Sequence, residues 1–345
     1  MQRKEAMFYR REEAGMLRCT LCPRNCRIAP GECGYCGVRR NSDGRLEALT
    51  WCRPVAVQID PIEKKPLAYF LPGSRTFSLG TFGCNLGCVF CQNDELSRGS
   101  YPPGFHEREV APEEIVEAAL RHGCRSVAFT YNEPTVFFEY ALEIARLAKQ
   151  ANLATVLVSN GWINPEPMRE LYPLIDAANI DMKGFSENFY RELCGGSLAP
   201  VLRSMEYFGR ELGRHLEITN LVIPGRNDSP EMIGAFLDWV EETLGREQPI
   251  HFTAFHPACR LFDPPTPPAR LRSATVPAAG DSPGSGSGTF RTPRRNRVSA
   301  KPRENSASSG SLPERPKSGG RVRARRTSSD ASRTPPGPWR ECTGA

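Results

Sequence analysis

The stretch GCNLGCVFCQN, residues 83 to 93, gathers Cys84, Cys88 and Cys91 into one short segment. A structural zinc site takes four ligands, so three thiols leave it incomplete. The same set suits an iron–sulfur cluster in which one iron stays open to something other than protein. The i, i+4, i+7 spacing would also make an ordinary buried stripe on a helix, as free cysteine often does. Gly83, Asn85 and Gly87 speak against a helix, because they permit the tight turns that wrap a compact cluster and aim amide N–H groups at its sulfurs. A C-x3-C-x2-C loop placed directly after a strand is a specific signal for such a cluster.

The segments around this loop alternate between strand-like and helix-like from Leu46 to about Pro257. TFSLGTF (76–82), SVAFT (126–130), LATVLVS (153–159), IDAANIDM (175–182), HLEITNLVI (215–223) and IHFTAF (250–255) are short, apolar and β-branched. That composition suits strands buried on both faces. Between them lie PEEIVEAALRHG (112–123), VFFEYALEIARLAKQ (136–150), PEPMRELYP (165–173), LAPVLRSMEYFGREL (198–212) and PEMIGAFLDWVEETL (230–244). Phe137, Ala141, Ile144 and Ala148 share one helical face, while Pro112 and Pro230 stand where a first helical residue tolerates a missing N–H. The order predicts an α/β fold with parallel strands and covering helices. Six strands fit a partial (β/α)6 barrel, and an open doubly wound sheet would give the same string. Either way chemistry belongs at the C-terminal strand ends, where the Cys84 loop follows TFSLGTF.

Three regions differ in composition: a Cys-, Gly- and Arg-rich lobe (1–45), the alternating body (46–268) and a Pro/Ser/Arg/Gly-rich stretch (269–345). The net charge of +6 is unevenly spread. From Arg270 onward there are 16 Lys+Arg against 5 Asp+Glu, whereas the first 269 residues hold 29 against 34. An acidic body gives no reason to read the folded part as a nucleic-acid binder. The stretch after Arg270 lacks Ile, Met, Tyr, His and Gln, cannot bury a core, and is expected to be disordered. Its 14 Arg against 2 Lys, within a bias to residues with G- and C-rich codons, also suits translation out of frame. No run of about 18 apolar residues is present to span a bilayer, and the first residues lack the apolar stretch of a secretory signal. The expectation is a cytoplasmic protein. Thirteen cysteines in such a compartment point to metal binding more than to disulfides.

The Cys84 loop resembles the cluster motif of radical S-adenosylmethionine (SAM) enzymes. The resemblance implies a [4Fe–4S] cluster on Cys84, Cys88 and Cys91, with the fourth iron left for the amino and carboxylate groups of SAM. It implies reductive cleavage to methionine and a 5′-deoxyadenosyl radical that abstracts hydrogen. Phe90 falls where these enzymes set an aromatic against the adenine. The ending CQN is similar to that of pyruvate formate-lyase activating enzymes, which carries Asn93 over as a cofactor contact. FTYNEPT (129–135) looks like their motif for the SAM amino group, with Thr130, Asn132 and Glu133 at the matching positions and Tyr131–Asn132 in place of paired glycines. The same resemblance assigns Ser159 and Asn160 to the ribose, Asp181 and Lys183 to the ribose and carboxylate, and Leu221 and His256 to the adenine side.

CTLCPRNCRIAPGECGYCGVRRNSDGRL together with the following RPVAVQIDPIEKKPLAYFLPGS resembles the opening of the AmmeMemoRadiSam-system radical SAM enzyme, a relative of the glycyl-radical activases. Its C-x2-C-x3-C-x9-C pattern matches Cys19, Cys22, Cys26 and Cys36, leaving Cys33 as an extra thiol. Four thiolates suit structural zinc or a second iron–sulfur cluster, and spacing does not separate the two. The resemblance implies an activase or maturase with a flavodoxin- or ferredoxin-like electron donor and a protein or small-molecule substrate. The competing reading is a metal-binding interaction protein whose barrel has lost activity together with the family's C-terminus, and whose basic tail binds polyanions.

Overall fold

Runs such as ATVLVS and HLEITNLV become parallel strands because each is followed by a helix-forming stretch that returns the chain to the same end of the sheet. The computed structural model describes residues 4–101, 109–263 and 273–277. The N-terminal lobe contributes β1 (Tyr9–Arg11), β2 (Leu17–Cys19) and β3 (Arg27–Ile28), a small antiparallel sheet, and the hairpin β4 (Arg39–Ser42) with β5 (Arg45–Ala48). The main sheet begins with β6 (Ala56–Pro61), antiparallel to β7 (Arg75–Gly80). From β7 the strands run parallel through β8 (Ser126–Phe129), β9 (Ala154–Ser159), β10 (Ala177–Met182), β11 (His215–Val222) and β12 (Pro249–Ala254). These are the six segments expected from the sequence. Each strand pairs with the next in chain order, with no reversal at a switch point. Sequential pairing is the winding of a partial (β/α)6 barrel, and it sets aside the doubly wound alternative.

β13 (Ser273–Pro277) adds an antiparallel strand to the open edge of β12. Those five residues belong to the stretch read from composition as disordered; an unpaired edge offers them a ladder. The other residues of 269–345 lie outside those described.

Helices α1 (Asp94–Ser97), α2 (Pro112–Arg121), α3 (Phe138–Gln150), α4 (Pro165–Leu171), α5 (Glu187–Phe189), α6 (Ala199–Glu206) and α7 (Pro230–Thr243) cover the sheet, and α5 and α6 each continue as a π-turn segment. Pro112 and Pro230 open their helices, and Ser229 caps α7 by accepting from Met232 N. Phe137, Ala141, Ile144 and Ala148 are fully buried, as their spacing predicts. Leu17, Leu21 and Ile28 of the lobe belong to the same buried cluster as Phe129, Leu157 and Ile218 of the barrel. Lobe and barrel are also joined by Arg39 and Glu139, which pair at 3.1 Å with both side chains 1% exposed. Among the described residues no helix is long and apolar enough to cross a membrane.

Glu217 on β11 shows how the sheet holds a buried charge. Its carboxylate accepts from the amides of Ala68 and Tyr69, both at 2.9 Å, and meets His215 Nε2 at 2.8 Å and His251 Nε2 at 2.5 Å. Burial alone would raise its pKa, but these bonds outweigh burial and hold the carboxyl at about 2, below its ordinary 4.5. A depressed carboxyl contributes stability that is complete above its unfolded pKa and is lost as pH falls through the folded one. Urea unfolding should therefore show stability falling between pH 4.5 and about 2, with a shallower fall in Glu217→Gln. An identical slope in both proteins would rule the carboxylate out as the source.

Candidate functional site

The Cys84 loop leaves the C-terminal end of β7 in irregular backbone, and α1 starts only after it, at Asp94. The loop is tied down along its length. Gly87 N donates to Cys194 O at 2.7 Å and Val89 N to Leu193 O at 2.9 Å. Arg24 reaches from the lobe to Asn85 O at 3.1 Å and Gly195 O at 2.6 Å. Arg260, beyond β12, bonds Gly87 O at 3.0 Å and, through its own N–H, Val89 O at 2.8 Å. Gly83 sits at φ +92°, and a Cβ there would stand 2.5 Å from Cys36 O. Only glycine fits both that conformation and that approach. At Gly87 a Cβ would lie 2.3 Å from the Tyr35 hydroxyl, so the lobe packs on the loop at two points.

Asn132, at the end of β8, anchors the other side of the loop. Its Oδ1 accepts from Thr81 N at 2.9 Å, and its Nδ2 donates to Thr81 Oγ1, Phe82 O and Gly83 O at 2.9–3.1 Å. Asn93 Nδ2 donates to Tyr131 O at 2.9 Å, closing the loop onto the same strand end. Tyr131 takes a left-handed φ of 72°, which costs a non-glycine residue roughly 1–2 kcal/mol. Its hydroxyl donates to Asp60 at 2.7 Å, and Lys64 and Lys65 flank the same carboxylate. Burial would raise the Asp60 pKa, but these donors hold it well below the ordinary carboxylate range.

The three thiols meet polar side chains from several strand ends. Asn160 Nδ2 lies 3.8 Å from Cys84 Sγ and donates to Asn85 Oδ1 at 2.9 Å. Cys91 Sγ stands 3.5 Å from Ser97 Oγ. Cys194, fully buried, hydrogen-bonds to Cys88. That bond, with Lys183 and Arg98 nearby, outweighs burial and holds the Cys88 thiol below its ordinary range. Burial, with Glu133 close by, pushes Cys84 well up. Three soft thiols on one anchored loop are the donor set that an iron–sulfur cluster with an open iron requires.

The remaining candidate residues fall into groups. Glu133 turns inward, only 2% exposed, and accepts from Thr135 N (2.9 Å), Ser159 Oγ (2.8 Å) and Asn160 N (2.9 Å). It thereby joins the ends of β8 and β9. Thr130 is buried beside it, its N–H bonded to Leu79 O at 3.0 Å. Lys183 pairs with Asp181 at 2.6 Å at the end of β10; burial would lower its pKa, but Asp181 and Cys88 hold it well above the ordinary value. Asn227 Nδ2 bridges Lys183 O and Leu221 O at 2.7 and 2.8 Å, a staple across β10 and β11 that no motif announced. Phe90 is buried, its ring 5.9 Å from that of Phe189. His256 is exposed past the end of β12, apart from the buried residues above.

A partial barrel with a three-thiol loop after its first parallel strand, ringed by polar strand ends, is the arrangement of a radical SAM domain. Residues 78–240 match the sequence profile of the radical SAM superfamily, so this part of the chain is a radical SAM domain, and such a domain implies an iron–sulfur cluster and SAM as cofactors. An uncharacterized protein of Methanocaldococcus jannaschii is 41% identical over 273 residues, 79% of this chain and 80% of its own length. A 7-carboxy-7-deazaguanine synthase of Methanothermobacter thermautotrophicus is 28% identical over 155 residues, covering 44% of this chain and 58% of that protein. A protein of M. jannaschii named as a candidate glycyl-radical enzyme activating enzyme is 26% identical over 162 residues, covering 46% of this chain and 60% of its own. This chain thus spans less than two thirds of the latter two relatives.

Proposed function

We propose that this chain is a catalytic radical SAM enzyme of the activase or maturase kind, acting on a protein or small-molecule partner and served by a flavodoxin- or ferredoxin-like donor. The observation that carries it is the loop of Cys84, Cys88 and Cys91, held at the strand ends by Arg24, Asn132, Arg260 and the Cys194 backbone. When bound, the cluster supplies one electron to the sulfonium of SAM, whose cleavage yields methionine and a 5′-deoxyadenosyl radical able to abstract hydrogen. Cys84, Cys88 and Cys91 would provide its thiolates; Asn160 Nδ2 donates toward Cys84 Sγ, and the Cys91 thiol meets Ser97 Oγ. Lys183 and Asp181 offer a cation and an anion side by side for the SAM carboxylate and ribose. Asn93, Thr130 and Asn132 line the amino-group side. Glu133 acts through Ser159 and Asn160, which its carboxylate holds in place. Phe90, Leu221 and His256 supply the adenine side.

A relative named for glycyl-radical activation supports the activase kind of chemistry, and the barrel mouth selects the partner. Anaerobically reconstituted protein given a strong reductant and SAM should release methionine and 5′-deoxyadenosine in equal amounts. Cluster-loaded protein that leaves SAM intact would refute the catalytic reading in favour of the binding one.

A further inference from the structure

The four cysteines that the lobe's spacing singles out converge in space. Cys19, Cys22, Cys26 and Cys36 line one cavity of about 20 Å³, with Arg39 and Asn85 in its wall. All four are free thiols. Cys33 is not in the wall; it bridges to Arg40 on the β4 hairpin. Arg39 is 1% exposed, and its Nε has no hydrogen-bond partner although its other nitrogens are held by Glu139 and Met7 O. A buried guanidinium N–H left over beside four thiols points to a missing anionic occupant.

The size of the cavity separates the two occupants that four thiolates admit. Zinc holds its sulfurs at about 2.3 Å, so four sulfur surfaces close around the ion and leave no room for a water-sized sphere. Here the space is of the order that admits a water, roughly 10–15 Å³ or more. A cubane spreads its thiolates, one to each iron at separate corners. Tyr35 N already donates to Cys26 Sγ at 3.4 Å, the kind of amide contact that stabilises a thiolate cluster, and Arg24 and Arg39 supply positive charge in the wall.

We propose that Cys19, Cys22, Cys26 and Cys36 hold a second iron–sulfur cluster, liganded by cysteine at every iron and so closed to substrate. Asn85, next in sequence to Cys84, lines this cavity, which sets the second centre directly behind the catalytic loop. The assignment does not rest on SAM chemistry at the Cys84 loop, and its test removes that loop's thiols. Full-length protein carrying Cys84→Ala, Cys88→Ala and Cys91→Ala together is reconstituted anaerobically with iron, sulfide and equimolar zinc. It should retain about four iron and four sulfide per chain and give a paramagnetic signal on reduction, with wild type holding about twice that iron. Cys22→Ser with Cys36→Ser in the wild-type background should halve the iron, and Cys33→Ser should leave it unchanged. If the paired serine variant fails to fold, the triple alanine variant decides alone. One zinc per chain in place of iron there, or no metal at all, overturns the proposal.

Discussion

Cys88→Ala is expected to abolish reductive formation of 5′-deoxyadenosine. Three thiols are the smallest set that leaves one iron open, so losing one removes a ligand of the loop. Cys88 is also the most strongly supported of the three, with the Cys194 thiol on its sulfur and Lys183 close by. The loss should exceed the roughly 10–100-fold that removing a ligand's hydrogen-bond partner costs, which is the effect expected of Cys194→Ala. The fold should survive, because the loop is held by the backbones of Gly87 and Val89 and by Arg24 and Arg260, none of which involves the Cys88 side chain. Cys124→Ala, buried in the core away from the loop, serves as the control and should keep turning over. Activity and circular dichroism measured on all three variants separate loss of the ligand from loss of structure. Undiminished 5′-deoxyadenosine from Cys88→Ala would remove the triad from the chemistry.

Glu139→Ala should be among the most destabilising single changes in the lobe–barrel contact. It strands the Arg39 guanidinium, 1% exposed, and takes the acceptor from Met7 N, which Glu139 Oε1 meets at 2.7 Å. Breaking one partner of a buried ion pair costs about 3–5 kcal/mol, because the other charge stays buried and uncompensated. At about 2–4 °C per kcal/mol for a domain of this size, Tm should fall by roughly 6–20 °C. Arg39→Met combined with Glu139→Leu should recover much of that, since the well-packed apolar pair strands no charge. Thermal unfolding of Arg39→Met, Glu139→Leu and the double variant closes the cycle, with Glu139→Ala measured beside them. A Glu139→Ala shift no larger than that of an exposed glutamate would show that water reaches the pair.

How much of this was legible beforehand follows from the range of each signal. The six parallel strands and the apolar face of α3 were readable because burial imprints a local pattern on consecutive residues, as at Phe137, Ala141, Ile144 and Ala148. The choice between a barrel and an open sheet was not, since it depends on which strands pair. β6 went unread because it is an edge strand with Val57 and Ile59 partly outward, 40% and 37% exposed, so its apolar residues do not mark a buried face. At the site, Cys84, Cys88 and Cys91 announced themselves through spacing within one loop. Cys194 could not, because its approach to Cys88 is made by the fold and leaves no spacing to recognise. The inward turn of Glu133 was likewise hidden: a motif places a residue at a strand end without saying whether its carboxylate faces the mouth or the neighbouring strand. Tyr131 was flagged as a departure from paired glycines, and its φ of 72° shows the backbone keeping a glycine-like conformation despite the substitution.

The lobe reaches its partners late in synthesis. Arg24 bonds Gly195, Asn164 bonds Thr20, and Met7 bonds Glu139, across 171, 144 and 132 residues of chain. At ~5–20 residues per second, those partners leave the ribosome roughly 7–34 s after the lobe does. Contacts so far apart in the chain are slow to form even once both ends are free. Until α3 is made Cys19, Cys22, Cys26 and Cys36 lack its packing, and a thiol-reactive probe should label them on nascent chains stalled before Phe138 far faster than on the finished protein. Translation of the barrel therefore times the period in which these cysteines are open to metal delivery and to oxidation.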